Sequence, residues 1–134
     1  MNVLLAQLQE TVDQVLAAER QISIGDPVPY NLFVADSETV SSVSASGRVM
    51  RGSQAVKAAS EQVSKGSVGE SDRFVEYLSC DYSDDMFYSV VKTGVTIHKD
   101  DGSQNSLCWV ITLIFKKFNG VWKLIHRQNT RSNP

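Results

Sequence analysis

From Ser103 to Pro134 the chain has no aspartate or glutamate, although its 134 residues carry 15 acids in all. Residues 1–102 therefore hold 8 Lys and Arg against 15 acids and sum to −7, whereas residues 103–134 hold 5 against none and sum to +5. The overall charge of −2 gives no reason to expect nucleic acid as a partner. Cysteine is nearly as scarce. Cys80 and Cys108 both sit inside apolar strand-like runs, where a thiol behaves as a small hydrophobe, so a reduced pair in a cytoplasmic protein is expected rather than a disulfide scaffold. Two distant histidines and two buried thiols make no zinc set. There is no glycine-rich phosphate loop, and no cofactor is expected. No apolar run approaches the roughly 20 residues of a spanning helix, so no membrane is expected. The opening MNVLLAQLQETVDQ has no basic residue before its apolar stretch and does not read as a secretory signal, so the mature chain is expected to begin near Met1.

What is present reads as one ordinary domain over residues 1–134, with 42% hydrophobic and 21% charged residues. Leu5, Leu8, Val12, Val15 and Leu16 recur at helical spacing, with Glu10, Asp13 and Glu19 opposite, which predicts an amphipathic helix over about Asn2 to Ser23. Asp26 and Pro27 open a short second helix running to about Ala35. Thr39 to Val43 and Arg48 to Met50 look extended around a Ser-Ala-Ser-Gly turn, and a third helix runs from Gly52 and Ser53 to Gly66. Four strands follow: Arg73 to Tyr82, Met86 to Lys99, Ser106 to Phe118 and Val121 to Thr130. Asn119-Gly120 between the last two is a tight-turn signal, because both residues tolerate positive φ. Gly94 inside a strand suggests a bulge.

Helices first and an antiparallel meander after give an α+β fold, with three N-terminal helices packed on one face of a curved sheet. Trp109, Ile111, Leu113 and Phe115 alternate with Val110, Thr112 and Ile114, so this strand is apolar on both faces. With no helix left for the second face, its expected cover is another copy of the chain, in a homodimer.

The order of elements, the stretch GDPVPYNLFVADSETV and the closing NGVWKLIHRQNT together resemble the nuclear transport factor 2-like superfamily, specifically its SnoaL-like and ketosteroid isomerase-like members. The resemblance implies a cone with a pocket between the concave sheet face and the helices, and a dimer through the convex face. Aligned without gaps on Asp26 and Asp36, it places the isomerases' proton-shuttling carboxylate on Ser42 and their tyrosine donor on Ala18; their second acidic donor would fall near Ile114. None of these residues keeps that chemistry. SnoaL-type cyclases also use a late-strand Asp, and none exists here. The closing strand is equally similar to the association domain of calcium/calmodulin-dependent kinase II, with Gly120, Trp122, His126 and Thr130 at the matching positions, so a non-catalytic oligomerisation or interaction module is the alternative.

Strict alternation in the last strand puts Trp122, Leu124, His126 and Gln128 on one face and Lys123, Ile125, Arg127 and Asn129 on the other. Lys123 and Arg127 prefer water, so the Trp122 face is assigned to the pocket. His126 then becomes the candidate acid or base, since histidine titrates near neutrality, with Tyr88 as a companion donor. Structural hydrogen bonding is the alternative for both. His98, near a turn, is expected to be exposed. Tyr30, Arg51, Tyr77, Trp109, Trp122 and Gln128 are the candidate ligand-binding residues, with core packing or solvation as their ordinary alternatives. The expected ligand is a small apolar or weakly anionic molecule, handled if at all by cofactor-independent isomerase, cyclase or dehydratase chemistry. Asp36 is assigned to its helix-to-strand turn. The basic residues of the last strands, Lys116, Lys117, Lys123, Arg127 and Arg131, are expected to pair with the acids of residues 70–85, with an anionic ligand or acidic partner at that edge as the alternative.

Overall fold

The computed structural model describes residues 3–66, 72–98 and 101–133; the side chain of His98 lies outside that description. Helix α1 (Val3–Ser23) buries Leu8, Val12, Val15, Ala18 and Ile22, a stripe at the three- and four-residue spacing of one helix face. Gly25, at φ 103°, ends the run. Asp26 Oδ1 accepts the Val28 amide at 3.1 Å and so opens α2 (Val28–Phe33). Strands β1 (Ser41–Val43) and β2 (Val49–Arg51) precede α3 (Ser53–Ser64), and β3 (Asp72–Tyr82), β4 (Met86–His98), β5 (Gln104–Phe118) and β6 (Val121–Ser132) form the meander. Asp36 takes a hydrogen bond from Ser53 Oγ at 3.3 Å, which ties the loop after α2 to the start of α3.

Among the described residues the strands make one six-stranded sheet in the order β2-β1-β6-β5-β4-β3, antiparallel except where β1 runs parallel to β6. Asn119 and Gly120 have φ of 50° and 80°, the positive pair that a tight hairpin needs. On the inner face Phe87, Val91, Ile111, Leu113, Phe115 and Leu124 pack under the helices. Phe87 stacks on Phe115 with centroids 4.4 Å apart and takes Trp122 edge-on at 4.9 Å. Each ring pair contributes about 1 kcal/mol beyond area burial.

Two irregularities set which side chains reach that face. In β6, Leu124 pairs with Phe115 and His126 with Ile114, so Ile125 is an extra residue opposite no partner. A bulge of this kind inverts the alternation beyond it. A second register shift lies between Tyr77 and Ser79. Gly94, by contrast, sits in continuous register between Phe74 and Cys108. The expected bulge is absent there. The glycine is needed because a Cβ would lie 2.0 Å from Cε1 of the Phe74 ring, which crosses it on the outer face. That outer face also carries Tyr88, Val90, Val110 and Ile114, with Phe74 49% and Tyr88 38% exposed.

Candidate functional site

Between the second half of α1, α3, Tyr30 of α2 and the inner face of the sheet lies an open cavity of about 540 Å³. Its wall is mostly apolar: Leu16, Ile22, Met50, Val56, Val63, Val75, Trp109 and Ile111 all contribute. Trp109 is fixed from its flank by Arg131, whose guanidinium carbon lies 5.8 Å from the ring centroid. The inner polar end is built from β6 and α1. Past the Ile125 bulge, Arg127 and Asn129 turn to the inner face, where they pair in register with Leu113 and Ile111. Arg127 meets Glu19 of α1 through two contacts: Nε donates to Oε1, and Nη2 donates to Oε2 at 3.3 Å. The side chains of Arg127 and Glu19 are only 18% and 15% exposed.

Electrostatics follow from that burial. Burial lowers the pKa of Arg127, but the Glu19 carboxylate beside it, together with Tyr30, more than offsets this and leaves the pKa raised, so the guanidinium remains charged. Burial and then the Glu19 charge push the Tyr30 phenol well above its ordinary value, only partly opposed by Arg127. Tyr30 is therefore a neutral hydroxyl at any physiological pH. Toward the rim, Arg73 donates to Ser23 Oγ at 3.0 Å, and its pKa is lowered by burial and by Arg20 nearby. Asp13, also in the wall, is raised by burial and by Glu10. Ser42, opposite Arg127 in the parallel β1 to β6 register, is buried in the same wall. Asn129 lines the cavity, with its Oδ1 packed away and without a hydrogen-bond partner among the described residues.

Of the candidate catalytic and ligand-binding residues named from the sequence, only Tyr30 and Trp109 reach this cavity. The expected pocket face of β6 is corrected by the bulge: Trp122 and Leu124 do face inward, but His126 and Gln128 face outward. His126 Nδ1 lies 2.8 Å from Ser41 Oγ, and Gln128 is exposed. Trp122 packs on Phe87 in the core rather than on the cavity. Tyr77 packs against the same core, with its hydroxyl buried and unpartnered among the described residues. Tyr88 is on the outer face, 3.3 Å from Ser79 Oγ, and Arg51 is exposed on β2 outside the cavity. Three basic residues of the last two strands have partners other than the acids of residues 70–85, of which Glu70 and the Asp72 side chain lie outside the described residues. Arg127 pairs with α1, Lys123 donates to the Leu32 carbonyl at 2.7 Å, and Lys117 lies 4.7 Å over the Trp122 ring. Helical spacing sets Glu19 opposite the apolar stripe of α1, and strict alternation sets Arg127 on the face away from the pocket, so neither stands out in the sequence. The opposite charges of the two parts of the chain were the available signal.

Among the described residues there is no group of three or more His, Cys, Asp and Glu side chains placed to hold a metal ion. Both cysteines are free, and no described helix is long and apolar enough to cross a membrane.

No family model matches the chain, and no curated protein matches it. Solved structures do. A ketosteroid isomerase-like protein from Erwinia carotovora atroseptica superposes with a TM-score of 0.78 at 16% identity, covering 100% of both chains. The association domain of C. elegans calcium/calmodulin-dependent kinase II gives 0.71 at 15%, covering 93% of this chain and 95% of that one. A nuclear transport factor 2-like superfamily protein from Salmonella enterica gives 0.71 at 14%, covering 94% and 91%. Helices over one face of a curved, unclosed sheet, with these neighbours, give the chain the nuclear transport factor 2-like, ketosteroid isomerase-like fold.

Proposed function

We propose that this chain binds a small, mainly apolar molecule in the cavity between α1, α3 and the inner face of the sheet. One observation carries the reading: an open cavity of about 540 Å³ with an apolar wall ends on the largely buried Glu19–Arg127 pair. That size falls within the roughly 300–1,000 Å³ of ordinary ligand sites, and a few polar groups at the end of an apolar wall are what orient a ligand there. Binding is favoured over proton transfer. Both Glu19 oxygens are engaged by Arg127, and Ser42, the position that the resemblance gives to the isomerase carboxylate, carries only a hydroxyl. His126 and Tyr88 stand on the other side of the sheet, so chemistry in the cavity would use neither. A thermal-shift screen of apolar small molecules tests the proposal. A ligand at 1,000 times its Kd adds about 4 kcal/mol of stability, and a broad library without a single shift would sink the reading.

A second reading, association, has its own observation. Tyr88, Val90, Val110, Ile114 and the Phe74 ring give the outer face an apolar patch, interrupted by Lys92 and Thr112, that no described helix covers. We propose that a second copy covers it, which is compatible with cavity binding because the two faces are separate. A monomer in sedimentation at micromolar concentration would contradict this.

A further inference from the structure

The charge balance at the polar end of the cavity narrows the ligand class, an inference that rests on the binding reading above. A guanidinium has five N–H groups. Arg127 directs Nε and one hydrogen of Nη2 to Glu19, which leaves three on a side chain that lines the cavity. Its charge, however, is already balanced by Glu19. We propose that Glu19 sets the charge selectivity of the cavity: with Arg127 neutralised, the site takes an uncharged, mainly apolar molecule whose hydroxyl or carbonyl oxygen accepts from Arg127, and it discriminates against carboxylates.

A ligand carboxylate that reached Arg127 would either lie beside Glu19, a like charge in a poorly hydrated place, or displace it and leave that acid buried without a partner. An uncharged oxygen incurs neither cost and takes up an N–H that Glu19 does not use. Tyr30 fits the same pattern, because its buried hydroxyl stays neutral and adds no charge to the wall. The rim is the opposing consideration, since Arg20 and Arg73 are both cationic and line the cavity. Their position has another cause. Arg20 lies in the last turn of α1 and Arg73 bonds Ser23 at its end, where helix carbonyls favour cations.

Calorimetric titration with three probes of one shape tests the proposal: 9-phenanthrol, 9-methoxyphenanthrene and phenanthrene-9-carboxylate, on the wild type and on Glu19→Gln. Glutamine keeps an oxygen for Arg127 and removes the charge. In the wild type the phenol and the ether should bind at least about tenfold more tightly than the carboxylate, and in Glu19→Gln the carboxylate alone should gain about tenfold. A wild-type carboxylate affinity equal to or above that of the phenol overturns the proposal and assigns the anion to the Arg20 and Arg73 rim. A carboxylate-to-phenol ratio unmoved by Glu19→Gln overturns it as well. Where Glu19→Gln does not fold, Glu19→Ala with Arg127 retained replaces it, and a carboxylate-to-phenol ratio unmoved from the wild type overturns the proposal in the same way. If no probe binds the wild type, the cavity reading fails and the charge rule falls with it, whereas tight binding of phenol and carboxylate alike leaves the cavity reading standing and removes only the rule.

Discussion

Arg127 and Glu19 meet in the wall of the cavity, and the energetics of such a pair are asymmetric. Removing one partner leaves an uncompensated charge, whereas removing both leaves an apolar wall. Arg127→Met is therefore expected to lower stability by about 3 kcal/mol in urea unfolding, and Glu19→Leu with Arg127→Met to recover most of that loss. A double variant no more stable than Arg127→Met alone would show that the pair is not an isolated unit. Tyr30 adds a pH signature. Its folded pKa is raised above the ordinary value of about 10, so the unfolded chain loses this proton first. The stabilisation is complete below pH 10 and declines as pH rises from there toward the folded pKa. Tyr30→Phe should flatten the alkaline fall in stability and remove a late-titrating phenol from the absorbance at 295 nm; an unchanged curve would place Tyr30 in contact with solvent. Neither role was legible in the sequence. The sequence marks Tyr30 only as a candidate ligand-binding residue, yet it is 4% exposed, because α2 packs against α1 and buries the ring in the core.

At the scale of the element, the hairpin was the most legible part. Asn119-Gly120 between apolar runs fixes a tight turn by backbone sterics alone, and the strands on either side extend as the pattern predicts. What the pattern hides is the single extra residue at Ile125. A one-residue slip exchanges the two faces of a strand, and no local composition marks it, so His126 was assigned to the face that Arg127 occupies. Gly94 was misread for the opposite reason: a glycine in a strand signals either a bend or a close approach, and here the Phe74 ring approaches. Gly94→Ala should cost about 1 kcal/mol or more, because the ring must move, and the same change in a Phe74→Ala background should be neutral or stabilising, since alanine loses less backbone entropy than glycine. Equal costs in both backgrounds would mean that the ring is not the obstacle.

For the whole molecule, the order of elements and the two-sided apolarity of β5 were enough to fix helices over one face of a sheet, because these depend on summed patterns and not on any single register. The outer face they leave bare predicts self-association. Ile114→Glu, in the middle of that face, should shift sedimentation toward monomer while leaving the cavity's ligand preference unchanged, and an unaltered sedimentation profile would move the interface elsewhere. The proposed role of the whole molecule is to hold a ligand in the cavity. Its most direct test is calorimetric titration of 9-phenanthrol into the wild type and into Ala59→Trp, which fills the cavity from α3 with a bulky ring. One ligand per chain is expected for the wild type and no saturable heat for a folded Ala59→Trp; equal binding by both proteins would place the ligand outside the cavity.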